Sequence, residues 1–222
     1  MPSKLEKFSD FNSFKNCFTL FFENIKEGLP LKGKWHTTYF ANTNPIVLEL
    51  GCGKGEYTVG LAKNNPSKNY IGVDIKGNRI WTGAKDALDS NLKNVGFVRT
   101  RIDFIDHCFE KDEVSEIWIT FPDPQPQKTR VRKRLTNPLF INRYRAFLKP
   151  GGLVHLKTDS TSFYEYTLEV IQENKFNLLF STNDLYANCP ADRNELIEIK
   201  THYEKLFTDR GEKIKYCCFQ IN

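Results

Sequence analysis

Nine residues do most to limit what this chain can fold into: Val47-Leu48-Glu49-Leu50-Gly51-Cys52-Gly53-Lys54-Gly55. An apolar run ends in an acid and passes into three alternating glycines, which let the backbone turn tightly from strand to helix and come close to a ligand. Gly51 and Gly53 are therefore candidate binding residues, with Glu49 beside them. The spacing is GxGxG, and Glu56 stands where a dinucleotide fingerprint wants its third glycine. That departure counts against a nicotinamide cofactor.

From residue 46 onward the pattern alternates. Short apolar runs at Ile46–Leu50, Tyr70–Val73, Gly96–Val98, Ile117–Phe121 and Leu153–Leu156 are separated by mixed, helix-length segments such as 77–92 and 160–174. Alternating strands and helices predict an α/β fold, a mostly parallel sheet with helices on both faces. Near the end, 193–209 reads as one helix, Gly211 as its stop and Lys215–Ile221 as a last strand. Before the sheet, Phe8, Phe11, Phe14, Phe18, Phe21 and Phe22 step by threes and fours, the period of one helical face, and 28–45 reads as a connector. The expected organisation is a helical extension and connector over 1–44 and a Rossmann-like domain over 45–222. A chain of 222 residues can bury a core of its own.

Charge is unevenly placed. Residues 121–149 hold Lys128, Arg130, Arg132, Lys133, Arg134, Arg143, Arg145 and Lys149 against Asp123 alone, a local sum of +7. The whole chain carries +5, so the remainder sums to −2. A mildly acidic body with one concentrated basic segment suits a polyanion docking in one place, because clustered cations gain by displacing counterions around phosphates. The six cysteines show no CxxC pair and the four histidines no ligand spacing, so neither a metal site nor a disulfide framework is expected. With no run of 18 apolar residues and no secretion-type leader, the expectation is a soluble cytoplasmic protein without a membrane partner.

Carboxylates stand at the predicted strand ends. Asp74 closes Tyr70-Ile71-Gly72-Val73-Asp74, about 20 residues past the glycines, the distance at which a strand-end acid meets ribose hydroxyls. An adenosine-bearing ligand follows. Asp103 could accept from an adenine amino group or simply cap a helix. Phe121-Pro122-Asp123-Pro124-Gln125-Pro126 holds three prolines and reads as a stiff loop that places Asp123 at the carboxyl edge of the sheet, with the basic arm directly behind it. Asp159 either serves the site or caps the helix beginning near Ser160. Thr201 and Glu204 have the spacing of a capping box, yet lie inside the predicted helix.

These residues together resemble the bacterial tRNA (guanine-N7)-methyltransferases, Rossmann-like class I enzymes that use S-adenosyl-L-methionine. Glu49–Gly55, Gly72–Asp74, the FPDP turn with its basic tail, Thr158-Asp159 and Thr201–Glu204 carry the resemblance in family order, over roughly 35–220. It implies an antiparallel C-terminal strand and a cofactor pocket lined by Glu49, Asp74, Asp103 and Asp123. Asp123 would also be the catalytic carboxylate, and Asp159 with Thr201 to Glu204 would meet the guanine. It further implies tRNA as substrate, methylated at the variable-loop guanine (position 46), with no obligatory protein partner. Gln125 and Gln127 stand where the family turn usually has Trp and Lys, and Lys128 is the expected replacement for that cationic contact.

Three other readings remain open at this level. One is a methyltransferase of the same fold acting on another RNA, a protein or a small molecule; a second is a non-catalytic RNA-binding protein. The third, a nicotinamide-dependent oxidoreductase, is the one the glycine spacing disfavours.

Overall fold

The computed structural model describes residues 2–221. Helix α1 (Lys4–Ser13) leads into strand β1 (Cys17–Thr19), and a wide π turn (Trp35–Phe40) precedes β2 (Ile46–Leu50). Then come α2 (Glu56–Asn64), β3 (Asn69–Asp74), α3 (Gly77–Asp89), β4 (Val95–Arg99), a 3-10 turn at Ile102–His107 and β5 (Val114–Thr120). A second 3-10 turn (Lys128–Lys133) and α4 (Pro138–Tyr144) lead to β6 (Leu148–Thr158), α5 (Thr161–Glu173) and β7 (Asn177–Thr182). Two short helices, α6 (Glu195–Glu198) and α7 (His202–Thr208), precede β8 (Lys215–Gln220).

The strands form one sheet in the order β1-β4-β3-β2-β5-β6-β8-β7. All pairings are parallel except those of β8, which runs antiparallel to both β6 and β7. After β2 the chain builds outward through β3 and β4, then crosses back to β5 on the other side of β2. The connections leaving β2 and β5 therefore diverge, and the crevice at their carboxyl ends is where open α/β sheets hold ligands.

Apolar layers cover both faces of the sheet. Period-two alternation sends Ile46, Leu48 and Leu50 into the layer with Trp35, Ile117, Phe109 and Phe147. Val47 goes to the opposite layer with Tyr57, Trp118 and Tyr216, and Glu49 shares that face. All five residues of β2 are buried, as a central parallel strand covered on both sides requires.

The phenylalanine row is not one helix. It stops at Ser13, Phe14 is already extended, and Phe18 lies in β1, paired with Val98 of β4. Phe11 packs in the α3-side layer, whereas Phe18 meets Trp35 and Tyr39 edge-on at 5.3 and 5.0 Å in the other. A straight helix cannot bury its aromatic stripe in two layers on opposite sides of a sheet. The connector is packed rather than loose: Trp35 is fully buried and its Nε1 donates to Cys108 O at 3.0 Å.

The helix expected over 193–209 is two helices. Ile199 turns extended and drives its side chain against Gly60 of α2, where a Cβ would stand 2.6 Å from Ile199 Cγ2. β1 and β7 carry no strong strand pattern, and β7 leaves Leu178 and Leu179 exposed at the sheet edge.

Candidate active site

The glycine turn opens the site. Gly51 and Gly53 adopt φ of +78° and +56°, a region that favours glycine, and nothing lies within 4 Å of where a side chain would start on either. The main chain is thus bare toward the crevice. Gly55 serves packing instead, since a Cβ there would meet the Phe97 ring at 2.7 Å and the Gly83 backbone at 3.3 Å; this glycine lets α2 and α3 approach.

Two carboxylates frame the turn. Asp74 Oδ2 accepts from Gly53 N at 3.0 Å and Oδ1 from Lys76 N at 2.8 Å, so the strand end of β3 holds the glycine loop in place. Each oxygen keeps a lone pair for a hydroxyl. Glu49 is only 3% exposed and accepts from Thr58 N at 2.8 Å and from the hydroxyls of Thr58 and Thr120. Burial pushes its carboxyl up to about 7, against the pull of the two threonines and with a smaller upward push from Asp74. Glu49 thereby fastens the glycine helix to the end of β5.

Across the crevice β5 stops at Thr120, one residue short of the sequence expectation. Phe121 sits at φ +46° while its N–H donates to Lys157 O at 2.8 Å. A bulky residue in the left-handed region is strained; here it turns the chain abruptly into Pro122-Asp123-Pro124. Asp123 is exposed, and its Oδ1 accepts from Gln125 N at 3.1 Å. Behind the turn, buried Arg134 donates through Nε and Nη2 to Gln125 O, both at 3.3 Å, and lies 4.4 Å from the Tyr166 ring. Arg134 is thus a clamp on the turn rather than a free cation of the arm. Lys128, Arg130, Arg132 and Lys133 remain exposed on the 3-10 turn.

The far wall comes from β6 and the last helices. Ser160 caps α5, accepting from Phe163 N at 3.3 Å, so Asp159 is released from that duty. Asp159 lines the crevice, and burial raises its carboxyl above the usual range. Thr201 caps α7, accepting from Glu204 N at 3.1 Å, while His202 N donates to Glu56 Oε2 at 2.8 Å. The capping-box spacing therefore marks a real helix start. Glu204 points away from the crevice: it is fully buried, 2.7 Å from Lys157 Nζ, and accepts from Tyr186 OH at 2.8 Å. Burial pulls the Lys157 ammonium down, and Glu204 opposes that pull.

The crevice holds about 730 Å³. It brings together Glu49, Gly51, Gly53, Asp74, Asp123, Asp159 and Thr201 from distant parts of the chain. Asp103, Lys128 and Glu204 stand outside its lining; Asp103 does not cap its turn either, but faces Arg101 at 3.2 Å. Apart from Tyr203, within the Thr201–Glu204 stretch, sequence reasoning missed the aromatic side of the site. Phe121 stacks on Phe207 at 6.2 Å, and Phe207 on Tyr203 at 6.5 Å. The 203/207 spacing was visible, but a helical aromatic pair reads equally well as core. Arg79, Lys54 and Lys133 also border the crevice. Among the described residues, no group of three or more His, Cys, Asp or Glu is arranged to hold a metal.

The sheet order, with β8 inserted antiparallel between β6 and β7, and the bare glycine turn at the switch point define a Rossmann-like methyltransferase fold. Solved structures agree: the 16S rRNA methyltransferase KamB superposes with a TM-score of 0.63 at 15% identity, covering 84% of this chain and 92% of that one. A geranyl diphosphate C-methyltransferase from Streptomyces coelicolor, in complex with S-adenosyl-L-homocysteine, reaches 0.52 at 17% identity over 85% of this chain and 78% of its own. A methyltransferase family model matches residues 43–217.

Closer relatives are curated as tRNA (guanine-N(7)-)-methyltransferases. That of Bacteroides thetaiotaomicron is 49% identical over 99% of this chain and 86% of its own length. The Christiangramia forsetii protein is 47% identical over 99% and 98%, and the Listeria monocytogenes protein 37% identical over 84% and 85%. The chain belongs to the tRNA (guanine-N7)-methyltransferase family.

Proposed function

We infer that this protein transfers a methyl group from S-adenosyl-L-methionine to N7 of a guanine in tRNA, the variable-loop guanine at position 46. The observation that carries the reading is the strained FPDP turn. It sets an exposed carboxylate, Asp123, across the switch-point crevice from a bare glycine loop, with four exposed cations immediately behind it.

The residues present fit the cofactor. Gly51 and Gly53 leave the main chain open to it, and Asp74 has lone pairs for ribose hydroxyls beyond those given to Gly53 and Lys76. Glu49 braces this cradle from behind. When bound, the cofactor supplies an electrophilic methyl group on a sulfonium.

Guanine N7 is an acceptor with a free lone pair and no proton at neutral pH. The enzyme therefore has no proton to remove from it, and its work is alignment and charge compensation. Asp123 offsets the positive charge that grows on the purine. Asp159 and Thr201 hold the polar edge of the base. Glu204 acts through Thr201, anchoring the start of α7 to Lys157 of β6. Phe121, Phe207 and Tyr203 give the base an aromatic wall. Lys128, Arg130, Arg132 and Lys133 meet phosphates, and Asp103 stays with Arg101. A cytoplasmic location goes with this reading, and no obligatory protein partner enters it. Among the described residues, no helix is long and apolar enough to cross a membrane.

The test is incubation of the purified protein with labelled cofactor and unmodified tRNA, followed by nucleoside analysis of the digested RNA. N7-methylguanosine confined to the variable loop is the expected product. Label in another nucleoside, or none in RNA despite cofactor binding, overturns the reading.

A further inference from the structure

The methyl-transfer chemistry leaves the phenylalanine-rich N-terminus unused, yet the fold brings it to the carboxyl edge of the sheet. β1 runs parallel to β4, so the chains leaving both strands emerge side by side, joined by Leu20 N donating to Arg99 O at 3.1 Å. Phe21 and Phe22 follow at once and are 48% and 70% exposed. The Arg99 guanidinium lies 5.0 Å from the Phe8 ring and 5.4 Å from the Phe21 ring, and its Nε donates to Ile75 O at 3.4 Å. Beside it Phe22 leans on Phe104 at 5.9 Å, and Arg101 lies 5.7 Å from the Phe104 ring.

This face is continuous with the crevice. Asp74, Arg79 and Ile102 line the crevice, while their chain neighbours Ile75, Lys76 and Arg101 are exposed on the face. Single exposed apolar residues are ordinary; a cluster interleaved with guanidinium groups at the rim of a site is not. The acids on the same stretches are Glu6, Asp10, Glu23, Asp74 and Asp103; Asp10 is held by Trp81 Nε1, Asp74 by the N–H groups of Gly53 and Lys76, and Asp103 by Arg101 at 3.2 Å. Partly exposed aromatic rings, Phe22 most of all at 70%, with cations alongside suit unstacked nucleotides, whose bases stack while their phosphates meet the guanidiniums.

Resting on the tRNA reading above, a guanine that enters the crevice must leave its stack, and its neighbours then lose a stacking partner. We propose that Phe21, Phe22 and Phe104, with Arg99 and Arg101, form a stacking platform for the tRNA nucleotides that flank the target guanine. A second copy of the chain could use the same apolar atoms, but the cations and the rim shared with the crevice match a polyanion.

The experiment measures tRNA affinity directly, apart from turnover. The Phe21→Ala/Phe22→Ala variant should bind unmodified tRNA at least about fivefold more weakly than wild type, with cofactor affinity and melting temperature held. Phe22→Ala alone, at the more exposed position, serves if the double variant melts early. Phe22→Trp should retain affinity, and tRNA should quench its added fluorescence. Unchanged tRNA affinity in the alanine variants overturns the platform. So does a variant that only converts a wild-type dimer to monomers, which assigns the face to self-association. Wild type that makes no N7-methylguanosine, with tRNA binding still weakened in the variants, keeps the platform and refutes the reaction.

Discussion

Asp123 and Glu49 are both acids of the same crevice, yet their surroundings give them opposite work. Asp123 is exposed and uses one oxygen for Gln125 N, so Asp123→Asn keeps the turn while removing the charge. Turnover should fall about 100-fold or more in Asp123→Asn and Asp123→Ala, the scale of losing one preorganised electrostatic group. Melting temperature should hardly move, as the side chain is not in the core. Near-normal turnover in both variants refutes the role. Glu49 is the buried counterpart. Its folded carboxyl titrates near 7 against an ordinary 4.5, so the native state binds the proton more tightly than the unfolded chain does. Its contribution to stability therefore falls as pH rises from about 4.5 to about 7, by roughly 3 kcal/mol, and levels off above. Glu49→Gln should remove that slope from the pH dependence of denaturant unfolding; identical slopes would mean that Glu49 is ionised throughout. Both acids were legible as candidates from their positions after apolar runs. Their different exposure was not, because it depends on Thr120, 71 residues from Glu49 along the chain.

Among the elements, α7 shows how a correct motif can sit in a wrong boundary. Thr201 and Glu204 have cap spacing, and Thr201 does cap, but the helix begins there instead of running through. What holds it is the buried pair of Glu204 with Lys157 of β6, closed by Tyr186 and by Lys157 donating to Leu196 O. Lys157→Met should cost about 3–5 kcal/mol in denaturant unfolding, because it strands a buried carboxylate. Adding Glu204→Gln should recover part of that loss, and methylation should stay low in both because Thr201 loses its anchor. Additive losses would show that the two side chains are not coupled. The phenylalanine row failed for a related reason. Its spacing fits a helix, but pairing of Cys17–Thr19 with β4 and burial of aromatics in two separate layers override local period. Of the two readings of Asp159, the helix cap falls to one neighbour, since Ser160 takes that cap.

For the whole molecule, electrostatics is the property most open to test. Lys128→Glu/Arg132→Glu reverses two exposed charges of the arm and should weaken tRNA binding while flattening its salt dependence by roughly 1.5 in the log–log slope. An unchanged slope would mean that the RNA lies elsewhere. Arg134 should not be counted with them, because it is spent on Gln125 and Tyr166. The sequence by itself determined the alternation of strands and helices, the glycine turn and the acids at the strand ends, and the placement of the cations in one segment. These are local matters: a tight turn needs glycine within a few residues, a buried strand needs an apolar run, and proline stops a strand where it stands. Only the tertiary structure decided which of those acids share a crevice, that Glu204 turns inward to Lys157, that β1 joins β4, and that Phe21 and Phe22 come to lie against Arg99 and Phe104. Each of these rests on contacts between residues distant in the chain, and the geometry of such contacts is set by sheet order and layer packing.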